Sequence, residues 1–329
     1  MRRREGYTPP YPSFVARFAE QQHDVVMAYL GLQHAAGSQP PGVERLLEGL
    51  VGAFKAETGP VHWDRAVCVD PQGYRNVLTA AYWRDTTAFE HWWRDQGMPW
   101  AVAAGEVDGV GAYLEMLRPT AERYETLFSE ASMREGVAHL GVGMSGPVAE
   151  HAYWGGARDR IALAQVDELA PRGRVTLLAD GHHRRVQPHD NLCLIRSGQD
   201  WTDTSGEERR MYQQDVEPVL RAGMDFLTKR GSEVGCLSNR YVRVLDAQGR
   251  ETDKSYGMGY WRSLGDLERW AESHPTHVAI FGAAMQYLSH LGPAAQLRLY
   301  HEVSVLDAAS QRYEYWNCHP RTGILGGLD

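Results

Sequence analysis

Tyr82-Trp83-Arg84-Asp85-Thr86-Thr87-Ala88-Phe89-Glu90-His91-Trp92 returns later in the chain as Tyr260-Trp261-Arg262-Ser263-Leu264-Gly265-Asp266-Leu267-Glu268-Arg269-Trp270. Each copy reads YWR, four residues, an apolar residue, Glu, one residue, Trp. Upstream, Asp70-Pro71-Gln72-Gly73 is matched by Asp246-Ala247-Gln248-Gly249, each a turn signal behind a β-rich run. Two matches in the same order and at similar spacing mark an internal repeat, and a repeat governs the reading of everything around it.

Extending each copy outward gives the same series of elements. In the first half, residues 25–30 read as a strand, and Val43, Leu46, Leu47, Leu50, Val51 and Phe54 recur at helical spacing. A hairpin through 70–73 ends at Tyr82-Trp83, a short helix runs from Thr87 toward Trp93, and residues 113–117 supply a last strand. In the second half, residues 192–197 read as a strand, and Thr204-Ser205-Gly206-Glu207 has the spacing of a capping box. The helix it opens carries Tyr212, Val216, Val219, Leu220 and Leu227 on one side. A hairpin through 246–249, a helix from about Asp266 and a strand over 297–306 follow.

Each half is therefore βαββαβ, the ferredoxin-like arrangement. The expected fold class is α+β: two four-stranded antiparallel sheets packed as one pseudo-twofold unit, with helices outside and core between. Residues 1–117 form the first half with an N-terminal extension, 118–190 a connecting segment, 191–306 the second half and 307–329 a tail with an added hairpin around Tyr313-Glu314-Tyr315-Trp316. The halves depend on each other, so the 329 residues count as one domain.

Composition narrows the function classes. Hydrophobic residues make up 43% and charged residues 23%, enough for a real core. With 34 Lys+Arg against 42 Asp+Glu, the net charge of −8 argues against a nucleic-acid partner, which needs a basic face. No apolar run is long enough to span a bilayer, and Met1-Arg2-Arg3-Arg4 is followed by Glu5-Gly6-Tyr7-Thr8-Pro9-Pro10 instead of an apolar signal core. The expectation is a soluble cytoplasmic protein with no membrane partner. Cys68, Cys193, Cys236 and Cys318 are scattered without a CxxC pair, which indicates neither a disulfide framework nor a zinc site.

Of the 14 histidines, two carry chemistry. His182-His183-Arg184-Arg185 with His189 reads as a basic, solvated surface loop, and His319 as a turn residue with no evident partner. Along 297–306 the alternating face is Leu297, Leu299, His301, Val303, Val305, so an ionisable ring stands in an aliphatic row. Either it is a core histidine with one hydrogen bond, or it is an acid/base group tuned by apolar surroundings. His277 follows Pro275, which starts a helical segment with His277 in its first turn. Phe281, Gly282, Ala283 and Ala284 come one turn on. Such small residues serve tight helix–sheet packing, or they let a flat cofactor lie close with imidazole as its axial ligand.

At these residues the chain resembles the haem-containing aldoxime dehydratases, nearly end to end. The most specific stretches are YETLF at 124–128, YWGGARDR at 153–160, IRSGQDW at 195–201, ERWAESHPTH at 268–277 and LRLYHEVSV at 297–305. The resemblance implies a non-covalently bound haem b, ferrous when active, with His277 as the proximal iron ligand. It implies an aldoxime substrate (R–CH=N–OH) dehydrated to a nitrile, with His301 as general acid and base. Arg160 and Ser197 would polarise the oxime hydroxyl, and Glu125 would be a supporting pocket carboxylate. It also implies a homodimer. A peroxide- or oxygen-using haem enzyme and a non-catalytic haem-binding protein are the competing readings on the same scaffold.

Overall fold

The computed structural model describes residues 2–178 and 181–328. Its first part runs β1 (Ala16–Arg17), β2 (Val26–Ala35), α1 (Val43–Ala53), β3 (His62–Val69), β4 (Tyr74–Trp83), α2 (Thr86–Trp92), α3 (Met98–Gly105) and β5 (Gly111–Leu117). The middle holds β6 (Tyr124–Phe128), β7 (Gly143–Met144), α4 (Gly156–Arg160), β8 (Thr176–Leu177) and β9 (His183–Gln187). The remainder is β10 (Leu192–Asp200), α5 (Gly206–Met211), α6 (Glu217–Arg230), β11 (Cys236–Leu245), β12 (Glu251–Trp261), α7 (Leu264–Ser273), α8 (Pro275–Leu291), β13 (Arg298–Leu306) and β14 (Gln311–Trp316). No helix of the described residues is long and apolar enough to cross a membrane.

The repeat has a physical basis at three points. Asp70 Oδ1 accepts from the amides of Gln72 and Tyr74, and Asp246 Oδ1 from those of Gln248 and Arg250, so both hairpins close on the same aspartate. Gly73 and Gly249 then adopt φ of +80° and +78°, where a side chain would be strained. Asp85 and Ser263, at one position of the repeat, both cap helices by accepting from the amide three residues on. The repeat's tryptophans also meet in the same way, Trp83 with Trp92 at 5.1 Å and Trp261 with Trp270 at 5.4 Å between ring centres.

The strands run in the order β5-β2-β4-β3 in the first half and β13-β10-β12-β11 in the second, antiparallel throughout. The expected pair of separate sheets is corrected here. Residues 243–245 of β11 pair with 65–67 of β3, which makes one 12-stranded sheet. Each of these strands would otherwise end its half as an open edge with unpaired backbone groups. The opposite edges are covered too, β13 by β6 and β5 by β14. The tail thus forms no hairpin of its own; its strand β14 lies between β5 and β9.

Two smaller expectations also change. Ser205 precedes α5 without a side-chain cap, and the Thr204 hydroxyl donates back to the Trp201 carbonyl at 2.7 Å. No capping box forms. The basic loop is strand β9, in which the His183 ring stacks on Trp316 at 4.4 Å and its Nε2 lies 2.8 Å from Glu314; His189 is buried.

The main core cluster mixes residues of both halves, among them Tyr29, Tyr82 and Tyr113 with Tyr256, Met258 and Tyr260. Arg240 on β11 crosses this core to make a two-pronged pair with Glu115 on β5, at 2.6 and 2.7 Å, and Tyr315 donates to the same carboxylate at 2.8 Å. Removing one partner leaves an uncompensated buried charge. Glu115→Gln is therefore expected to cost about 3–5 kcal/mol of stability, read as a lower urea midpoint at an unchanged slope.

Candidate functional site

Alternation along β10 and β13 divides their side chains between two environments. Arg196 and Glu302 turn into the core between the halves, where Arg196 reaches Asp64 at 2.7 Å and Tyr82 donates to Glu302 at 2.6 Å. Cys193, Val303 and Val305 turn the other way and pack with Leu220 and Met224 of α6 and Leu267 of α7. Ser197 and His301 share that second face, since they lie opposite each other in the β10–β13 register. Leu127 of β6 is the next residue across from His301, and Gly257 of β12 the next across from Ser197.

His301 does not sit among aliphatic groups alone, which corrects its expected surroundings. Its Nε2 lies 3.0 Å from Arg160 Nη2 and 3.0 Å from Glu125 Oε1. Arg160 Nε donates to the second Glu125 oxygen at 2.6 Å, and Nη1 donates to the Glu150 carbonyl. Glu125 comes from β6 and Arg160 from the end of α4. Burial alone would push the Glu125 carboxyl up, but the Arg160 guanidinium and His301 beside it hold it below the usual carboxylate range.

This geometry serves both protonation states of one ring nitrogen. A neutral Nε2 accepts from the guanidinium, and a protonated ring stands at ion-pair distance from the carboxylate.

His277 lies in a second cluster. Pro275 occupies the first turn of α8, and the His274 side chain accepts from the Thr276 amide at the helix start. The His277 ring meets Trp270 at 4.6 Å and Trp154 at 5.7 Å, and its Nδ1–H donates to the Ala271 carbonyl at 2.9 Å. Burial lowers its pKa to about 4, so the ring is neutral at ordinary pH. Residues 150–160 tie the two clusters together: Trp154 leans on His277 and Phe281, and Arg160 reaches His301.

The haem-containing dehydratase family model matches residues 28–324. The chain belongs to the haem-containing dehydratases. An aliphatic aldoxime dehydratase of Rhodococcus globerulus is 42% identical over 327 residues, covering 98% of this chain and 92% of the relative. A phenylacetaldoxime dehydratase of Bacillus sp. (strain OxB-1) is 34% identical over 334 residues, covering 98% and 93%. A crystal structure of an aldoxime dehydratase in complex with butyraldoxime superposes with a TM-score of 0.93 at 41% identity, covering 99% of this chain and 91% of that one.

The residues of this haem-containing dehydratase fit the cofactor. With Nδ1–H committed to a carbonyl, the His277 Nε2 lone pair is free to ligate iron, as in many metal-bound histidines. Helix α8 is apolar, yet among its residues only Tyr287 is buried, and its neighbours are α6, α7 and the π-helical turn Tyr212–Val216. A Cβ on Gly282 would meet nothing within 4 Å. The family's haem site therefore asks nothing of α8 that its sequence lacks.

Sequence reasoning missed Trp154, the Ala271 carbonyl and the Glu150 carbonyl. Trp154 stood inside the YWGGARDR stretch, but no periodicity marked it. The two carbonyls carry no residue-type signal at all.

Proposed function

We propose that this chain is a haem-dependent aldoxime dehydratase, converting R–CH=N–OH to R–C≡N and water. The observation that carries the reading is the His301 ring nitrogen shared between Arg160 and Glu125 at 3.0 Å each. The near full-length likeness to enzymes of that name supports it. His277 would hold the haem, whose reduced iron would supply electron density to the oxime nitrogen side of the N–O bond.

The chain's own residues move the protons. Hydroxide is a poor leaving group, so His301-H⁺ gives its proton to the oxime hydroxyl and water departs as the N–O bond breaks. Positioned acid catalysis of this kind contributes about 10²–10⁴-fold. The neutral His301 ring then takes the proton from the substrate carbon, the carbon–nitrogen triple bond forms, and the imidazolium is restored. Glu125 stabilises the charged ring, and Arg160 stabilises the neutral ring through its Nη2 donor. Ser197, beside His301 on the neighbouring strand, donates toward the departing oxygen.

We further read the two matching strand orders as paired ferredoxin-like βαββαβ halves, 1–117 and 191–306, joined by 118–190 and closed by 307–329. The shared hairpin aspartates, helix caps and tryptophan pairs support that reading of a repeated unit.

The test is an anaerobic assay of the haem-loaded protein reduced with dithionite and given butyraldoxime or phenylacetaldoxime. Nitrile formation without added peroxide, accompanied by a Soret shift on substrate addition, is expected. Absence of nitrile from both substrates overturns the reading.

A further inference from the structure

Residues 2–13 lie across the outside of residues 150–160, the segment that ends in Arg160. The backbone N–H of Arg2 donates to both Asp159 carboxylate oxygens, at 2.8 and 2.7 Å, and that of Arg3 to Oδ2 at 3.1 Å. The Tyr153 hydroxyl donates to the same Oδ2 at 2.7 Å. Farther along the segment, Arg3 pairs with Glu150 at 3.1 Å, and the Tyr7 hydroxyl donates to the His151 carbonyl at 2.8 Å. Arg2 also reaches Glu268 of α7 at 3.4 Å. Its side chain runs so close over Gly155 that a Cβ there would come within 2.5 Å of Arg2 Cδ.

Helix α4 is five residues long and follows Gly155, which has φ +89° and provides no side-chain cap. One turn of helix has no cooperative stability of its own, so external ties set its direction. Its last two residues divide the work. Asp159 faces the N-terminal strap, while Arg160 faces Glu125, the Glu150 carbonyl and His301. Glu150 is held from both sides, by Arg3 through its carboxylate and by Arg160 through its carbonyl.

We infer that Asp159 is a positioning residue for the dehydration, anchoring α4 to the backbone of Arg2 and Arg3 and so holding the Arg160 guanidinium on His301 and Glu125. This rests on the dehydratase reading, in which Arg160 and His301 act together. A displacement of about 1 Å at a reacting group can lower a rate by about 10²-fold, so the strap's contribution is visible in turnover even though it touches no substrate.

The experiment uses the full-length, haem-loaded protein carrying Asp159→Asn. The amide keeps the size of the carboxylate but cannot accept all of its donors with full charge. Its kcat for nitrile formation from butyraldoxime is expected to fall about 10–100-fold, with KM, haem content and Soret spectrum as in wild type. On an Arg160→Lys background the same substitution is expected to add little, because two residues acting through one contact are not additive. Unchanged kcat in Asp159→Asn, an equal loss on both backgrounds, or a loss that tracks haem content overturns the inference. Wild-type protein that makes no nitrile is a different result: it removes the dehydratase reading itself, and the inference falls with it.

Discussion

The His301→Ala protein is expected to bind haem normally and to form nitrile about 10²–10⁴-fold more slowly than wild type. Truncation here leaves the rest of the site standing. Arg160 and Glu125 remain paired to each other at 2.6 Å, and both are buried, so neither charge is stranded. The His301 side chain is 24% exposed, which limits the packing lost with it. What disappears is the one group placed between a donor and an acceptor, able to deliver a proton to the leaving hydroxyl and then collect one from carbon. A rate measurement on reduced, haem-matched samples decides it. Near-normal turnover would take His301 out of the mechanism and leave the proton transfers to Arg160, Ser197 or solvent.

The sequence carried the local logic of this site better than its assembly. The phase of Leu297, Leu299, His301, Val303 and Val305 placed His301 on the helix-side face, because period-two alternation is a property of the strand alone. The ring's charged partners were not legible in that pattern. Arg160 lies 141 residues away in sequence, at the end of a single helical turn without hydrophobic periodicity. Glu125 sits on β6, a strand whose place beside β13 is fixed by pairing that no local signal encodes. The family resemblance, not the residue pattern, brought both of them forward.

The same division runs through the fold. Asp70 and Asp246, Asp85 and Ser263, and the two tryptophan pairs act within about ten residues of themselves, and so the repeat was readable. The joining of β3 to β11 and the insertion of β14 between β5 and β9 are contacts between distant segments. An edge strand that pairs with a remote edge has the same composition as one that faces solvent. The π-helical turns at Trp93–Gly97 and Tyr212–Val216 were hidden for a related reason: a single added residue in a helix barely disturbs its apolar spacing.

Replacing His277 by alanine is expected to yield folded protein that is purified largely without haem and lacks the Soret band. The helix itself survives the change. Its start is fixed by Pro275 and the His274 cap, and its body packs on α6 and α7, so far-UV circular dichroism should match wild type. His290, the next histidine along, lies 13 residues on, about 20 Å at 1.5 Å per residue, and its side chain is 58% exposed beside Glu207 at 3.7 Å. The decisive feature is the tautomer: with Nδ1–H donated to the Ala271 carbonyl, the His277 Nε2 keeps a lone pair and carries no proton to lose. A His277→Gly variant supplied with free imidazole should therefore recover a Soret band, since the small ligand can occupy the same space. Retention of a normal haem spectrum by His277→Ala without imidazole would assign the iron to another residue and detach α8 from the cofactor.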